Sequence, residues 1–424
     1  MIKRVIAGLL SLTLAGLAGC GNVGENVVVD QVVQTEITLS WWGNDTRNEY
    51  TLAAIEEFEQ LHPEIKVSCS YSEWSGYEAR NQVRMVSGTE TDVMQINVGW
   101  LNQYSADGSG YYDISTLTDT VDLSNFPDEL LEYGRRGGVL NAVPIAMNAE
   151  TLYINKTVYD KYGLDIPKTW DDLFEAAKVM SPDGVYPMAA ADKSMWLFCI
   201  AYAEQVNGKH FFNENSEIAF TAEDLQIMID FYTKMVNEKV TPLIEDYQKY
   251  NIENDSYAGA VGWVSDALNF YKNNIDSGDE IVAADYPVMK GLPSGTGWYA
   301  KPATLYAVSK NTEHPKEAAM LLDFMLNSRE MAKHQGVEKG IPISPAAREY
   351  LDEIGELSGL QYEASLVMEN NENMSSMNSL IENKDLYMDF IDACNLVLFD
   401  KATNMEAAEG LYEKYGENYA MAKA

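Results

Sequence analysis

Residues 36–97 constrain the fold more than any other part of the chain. Glu36 to Trp42 alternates, with Ile37, Leu39 and Trp41 on one face, which is the two-residue period of a strand. Leu52, Ile55, Phe58 and Leu61 then recur at helical spacing and predict a helix over Asn48–Gln60, ended by His62-Pro63 because the residue before a proline disfavours helical backbone. Ile65, Val67, Cys69 and Tyr71 alternate as a second strand, a weaker helix spans Tyr77–Val86, and Asp92–Asn97 reads as a third strand. Strand, helix, strand, helix, strand at these lengths implies a parallel sheet with helices on its faces, and therefore an α/β fold.

The rest of the chain continues in kind. Thr169 with Asp172 and Thr221 with Asp224 each form a capping-box-like helix start. The second opens a stripe of Leu225, Met228, Ile229, Tyr232, Met235 and Val236. Short strands are predicted at Ala258–Val264 and Thr304–Ser309, a helix at Lys316–Leu326, a polar loop at Met368–Asn378, and helix from Leu380 onward. No internal repeat or long low-complexity linker interrupts the 424 residues, so any two domains are joined by strands rather than a floppy tether.

The first twenty residues read as an address. Lys3 and Arg4 precede an apolar run from Val5 to Ala15, too short to span a bilayer that needs roughly 18 or more apolar residues. Leu17-Ala18-Gly19-Cys20 matches a bacterial lipobox, so 1–19 is expected to be a lipoprotein signal peptide and Cys20 the lipidated first residue of the mature chain, held at the outer face of the cell membrane by lipid alone. Residues 20–35 carry no period and read as a tether. The remaining Cys69, Cys199 and Cys394 allow at most one disulfide and lack metal-ligand spacing.

With 65 acidic against 30 basic residues the formal charge is −35, which repels phosphate backbones and acidic lipid head groups; nucleic-acid binding is not expected. The tryptophans are more informative. In open α/β sheets ligands bind beyond the carboxyl ends of the strands. Trp42, Trp74 and Trp100 follow the first three predicted strands, Trp263 closes another, and Trp298 with Tyr299 sits in a Gly-rich loop. Flat indole faces among Asn, Asp and Arg suit sugars, which offer apolar C–H faces for stacking and hydroxyls that need donors and acceptors. Trp42, Trp74, Trp100, Trp263 and Trp298 are therefore candidate platforms, Trp196 and Tyr299 further candidates, and Asn44, Asp45, Arg47, Asn97, Asp192 and Asp266 candidate hydroxyl partners. Trp41 and Trp42 point to opposite faces of their strand; Trp41 is assigned to the core and Trp42, beside Gly43, to the ligand.

Several segments in order resemble the extracellular solute-binding proteins of family 1. They include Leu39-Ser-Trp-Trp-Gly43, His62-Pro-Glu-Ile-Lys-Val67, Thr91-Asp-Val-Met-Gln95, Gly138-Val-Leu-Asn-Ala-Val-Pro144, Leu152-Tyr-Ile-Asn-Lys156, Pro167-Lys-Thr-Trp-Asp171, Val308–Ala318 and Gly340-Ile-Pro342. The resemblance implies a two-lobed periplasmic-binding-protein-like class II fold, with discontinuous lobes and a ligand cleft between them. Lobe 1 is expected at 36–146 and 300–345, and lobe 2 at 147–299 and 346–424. It also implies a monomeric, non-enzymatic subunit of a carbohydrate importer that captures oligosaccharide by hinge closure and delivers it to ABC permease subunits. No cofactor or metal is expected. Gly295-Thr-Gly-Trp-Tyr-Ala300 matches a dinucleotide-loop pattern but lacks the strand-then-helix context. A secreted glycoside hydrolase, or a polyamine or peptide receptor on the same scaffold, is the alternative; the first would use paired carboxylates, the second an acidic cleft.

Overall fold

The computed structural model describes residues 34–422, apart from 125, 214–215, 248–255 and 292–296. The leader, the lipobox with Cys20 and almost all of the expected tether lie outside the described residues. The opening rhythm is present as β1 (Thr35–Trp42), α1 (Asp45–Leu61), β2 (Ile65–Ser72), α2 (Trp74–Ser87), β3 (Val93–Ile96) and α3 (Val98–Ser105). β1 pairs in parallel with β2 on one side and β3 on the other, with Leu39 opposite both Cys69 and Val93. The three carboxyl ends thus point the same way. α1 starts three residues earlier than its apolar period suggests, because the Asn44 side-chain oxygen accepts the Arg47 N–H at 2.9 Å and caps the first turn.

The remaining strands of the main sheet are β4 (Ala142–Asn155), β5 (Ala189–Ala190), β6 (Gly259–Trp263), β7 (Ile281–Ala284), β8 (Tyr299–Val308) and β9 (Ser375–Ser376). They extend the sheet in the order β2-β1-β3-β8-β4-β6-β5, with β9 on β8 and β7 on β4. β8 runs antiparallel to both β3 and β4, so the parallel sheet expected from the first hundred residues is one part of a mixed one. β8 also begins five residues before its predicted start. Pro302, which cannot donate to the ladder, is accommodated because the pairing with β4 shifts register between Pro302 and Thr304. Both predicted capping boxes form, at Thr169/Asp172 and Thr221/Asp224, and open the helices Trp170–Met180 and Ala222–Asn237.

Two principal hydrophobic cores lie along this sheet. One contains Ile37, Leu39, Trp41, Phe58, Val143, Ile145, Tyr306, Val308 and Phe324. The other contains Leu152, Ile154, Trp170, Phe198, Tyr232, Trp298, Phe390 and Tyr415. β4 and β8 feed both: Val143 and Ile145 enter the first, Leu152 and Ile154 the second, while β8 divides its side chains in the opposite sense. This antiparallel pair carries the chain twice between the cores. Cys199 and Cys394 are buried thiols and Cys69 is half-buried; all three are free.

Candidate functional site

The parallel strands deliver one wall of the site. β1 ends in Trp41 and Trp42, and alternation sends the two indoles to opposite faces. Trp41 is enclosed in the core, stacked 4.8 Å from Tyr71, with its N–H donated to Asn48 Oδ1 at 3.0 Å. Trp42 emerges on the other face. There it meets Trp74, the first residue of α2, edge-on at 4.9 Å, and Trp100 of α3 at 6.2 Å. Trp74 stacks on Trp100 at 5.7 Å with 17° between planes, and Tyr77 also stacks on Trp100 at 5.9 Å. Trp100 is buried by this packing, whereas Trp74 remains 38% exposed. The expectation from strand ends thus brings three indoles into one aromatic wall. Asn97 caps α3 by accepting the Gly99 N–H at 2.8 Å, which leaves its amide donors available.

The facing wall comes from the second core. Lys193, in the first turn of the helix Asp192–Asn207, and Lys301 of β8 converge on Glu382, which ends the short turn Ser379–Glu382. Lys193 Nζ donates to Glu382 Oε1 at 2.7 Å, and Lys301 Nζ donates to the other carboxylate oxygen. Both ammoniums also lie over the indole of Trp263, at 5.0 and 4.6 Å from the ring centroid. Burial raises the Glu382 carboxyl, but attraction to Lys301 and Lys193 outweighs it and leaves the group below the usual carboxylate range. Burial pulls the Lys301 ammonium down, opposed by Glu382.

Behind this pair stands Glu150 of β4, paired with Trp263 across the ladder. Its Oε1 accepts from Ser194 Oγ at 2.7 Å, while Oε2 has no partner. Full burial pushes its carboxyl up to about 7, against the Ser194 hydrogen bond and the charge of Lys193.

Between the walls lies a cavity of about 560 Å³ lined by Trp74, Glu78, Asn97, Trp100, Gln103, Lys193, Lys301, Met377 and Glu382. Among the candidates from sequence, Trp74, Asn97 and Trp100 line it, Trp42 packs beneath them, and Trp263 backs the two lysines. Asp192 is exposed immediately before Lys193 and Asp266 follows the Trp263 strand, but neither lines the cavity.

Other candidates are used elsewhere. Arg47 is held by Glu338 at 3.3 Å, Asn44 is spent as a cap, and Asp45 is exposed in the first turn of α1. Trp196, Trp298 and Tyr299 are corrections to the expectation. Trp196 is fully buried and donates its N–H to the Ile381 carbonyl at 3.1 Å. Trp298, expected as a platform, is 2% exposed and stacked 3.6 Å from Tyr286. Gly297, at φ +86°, lets the chain turn so that this indole enters the core. Tyr299 donates its hydroxyl to buried Glu204, which also accepts the Phe211 N–H at 2.7 Å; the tyrosine ring borders a second cavity beside Met377. The residues missed from sequence are Lys193, Lys301, Glu382, Glu78, Gln103 and Met377. The one available signal was scarcity, because basic residues are outnumbered two to one and two of them flank candidate positions.

A mixed sheet bridging two cores, with a cleft between an aromatic wall at the ends of β1 and β3 and a charged wall beside the second core, is the architecture of a two-lobed binding protein. The description of the bacterial extracellular solute-binding proteins matches residues 43–332, and the chain belongs to that family. The multiple sugar-binding protein of Streptococcus mutans is 23% identical over 364 residues, 81% of this chain and 82% of that one. A periplasmic oligogalacturonide-binding protein of Yersinia enterocolitica, solved with saturated digalacturonic acid, is 29% identical, covers 92% of this chain and all of its own, and superposes with a TM-score of 0.80. A chain described as a de novo designed cysteine esterase superposes with a TM-score of 0.83 at 29% identity, covering 92% of this chain and 100% of that one. No helix among the described residues is long and apolar enough to cross a membrane, and no metal-binding group of His, Cys, Asp or Glu occurs among them.

Proposed function

We propose that this protein is the substrate-binding subunit of an ABC importer for carboxylated oligosaccharides. It is tethered by lipid on Cys20 at the outer face of the cell membrane and is monomeric. The observation that carries the reading is the pairing of an aromatic wall with a lysine pair across one cleft. Trp74 and Trp100 supply C–H stacking, Asn97 and Gln103 supply hydroxyl partners, and Lys193 and Lys301 supply cations for a sugar acid. The oligogalacturonide-binding relative supports the acidic character of the ligand and the multiple sugar-binding relative supports the saccharide.

The lobes divide on β4 and β8, near 146–147 and 299–300. The helix Pro345–Glu353 belongs with the first lobe, because Ala347 and Leu351 pack on Ala332. Sugar touching both walls favours the closed arrangement, which the permease subunits then recognise.

The other readings fit less well. A polyamine needs acidic partners, and Glu382 is already held by two ammoniums in the lining. Glu382, held ionised between two lysines, is a poor proton donor for glycoside cleavage. The esterase-like neighbour calls for a reactive thiol, but Cys199 and Cys394 are buried and burial pushes the Cys69 thiol up to about 11. Titration calorimetry of the mature chain against digalacturonate, neutral di- to hexasaccharides and spermidine tests the reading. Binding of digalacturonate without change in its length is expected. Silence with every saccharide, heat with spermidine, or release of smaller sugars would each overturn it.

A further inference from the structure

Lys193 and Lys301 share one carboxylate on the cleft wall, that of Glu382. Lys193 and Lys301 come from a helix start and a strand, and Glu382 from a turn some eighty residues beyond Lys301. Nothing in the local sequence pairs them; they meet only at the cavity surface. Each oxygen of Glu382 takes one ammonium, the bridging arrangement a ligand carboxylate would itself adopt. Glu382 is 22% exposed and lines the cavity, so it faces the same space as the incoming sugar. Both lysines also lie over Trp263, a second contact that does not involve Glu382.

We propose that Glu382 is the specificity-determining residue of this cleft: in the free receptor it occupies the place of a ligand carboxylate, and a sugar acid must replace or out-compete it to reach Lys193 and Lys301. The inference rests on the acidic-sugar reading above and adds a resident competitor to it. Its consequence falls on acidic ligands alone. A uronate must exchange one charge-assisted bridge for another, so Glu382 lowers its affinity, whereas a neutral sugar leaves the bridge untouched; Glu382 thus sets how far the lysines favour an acid. An acidic residue in this position also keeps the unliganded cleft from holding stray small anions.

Glu382→Gln tests this by calorimetry against digalacturonate and its neutral counterpart galactobiose. The preference for digalacturonate over galactobiose should rise roughly tenfold at low ionic strength and shrink in high salt. Glu382→Asp, too short to bridge both ammoniums, should fall between wild type and Glu382→Gln, and circular dichroism checks that each variant is folded. An unchanged or reduced preference, in a wild type that binds digalacturonate, would overturn the assignment. A second probe is independent of the sugar. Acetate is titrated while Trp263 emission is followed, isolated by subtracting the same titration of a Trp263→Phe background. Glu382→Gln should respond at lower acetate than wild type. If wild type binds no uronate but acetate shows this shift, the substrate reading fails and the role of Glu382 stands. If acetate shows no shift between the two proteins, the role of Glu382 fails.

Discussion

Trp74→Ala gives the sharpest measure of the aromatic wall. Trp74 is 38% exposed, stacked on Trp100 and edge-on to Trp42, so one face of its ring is free for a sugar. A tryptophan offers up to roughly 250 Å², so its uncovered part is about 95 Å². Covering most of that at about 25 cal/mol per Å² contributes about 2 kcal/mol, or about a 30-fold change in Kd. The stability cost should be small by comparison, about 1 kcal/mol, because the residue opens α2 and is only partly enclosed. Calorimetry should therefore show Kd for digalacturonate weakened about 30-fold, with a melting temperature lowered by no more than about 2–4 °C. Trp74→Phe, which keeps a flat ring, should recover most of the affinity. A Kd within twofold of wild type in a folded Trp74→Ala protein would remove this wall from the binding site, and the stacking argument with it.

Trp298→Ala should behave in the opposite way, losing about 3–5 kcal/mol of stability because a core ring stacked on Tyr286 is deleted, as a thermal or denaturant melt would show. Glu150 predicts a pH dependence. Its carboxyl, raised to about 7 by burial, takes up a proton that the unfolded chain binds only near its lower ordinary value. Its contribution to stability is accordingly present below that ordinary value and lost as the pH rises through about 7. The groups facing it are Lys193, Lys301 and Glu382, with the Tyr286 hydroxyl on its backbone carbonyl. Ionised Glu150 adds negative charge beside the lysines, so digalacturonate should bind more tightly at pH 6 than at pH 8, and Glu150→Gln should flatten that dependence in calorimetry. Cys20→Ser should shift the protein from the membrane fraction to the medium and abolish its labelling by a radioactive fatty acid; retention at the membrane would refute lipid tethering.

The elements of the fold were readable because each is written in a local period. Alternation over 36–42 and 65–71, helical spacing over 48–60, and the Thr169 and Thr221 caps are short-range signals, and all appear where expected. Three of the platform indoles were readable for a similar reason, since parallel strands carry whatever follows their carboxyl ends to one edge. That rule assigns a residue to a loop but not to a direction. Trp298 was likewise assigned to a loop, the Gly-rich one ahead of a strand, and the turn at Gly297 and the waiting face of Tyr286 sent it inward.

The chain by itself thus determined the α/β class, the strand-end tryptophans and the acidic exterior, all of which depend on residue type and near neighbours. Only the tertiary structure decided the site's charge. Glu150, Lys193, Lys301 and Glu382 are spread over more than 230 positions and share no period. They meet because β4 pairs antiparallel with β8 on one side and β6 on the other, bringing Lys301 opposite Asn148 and Glu150 beside Trp263. Local periodicity records which way a side chain faces on its own element. Which charges then converge is set by how distant elements pack, and that information is distributed over the whole chain.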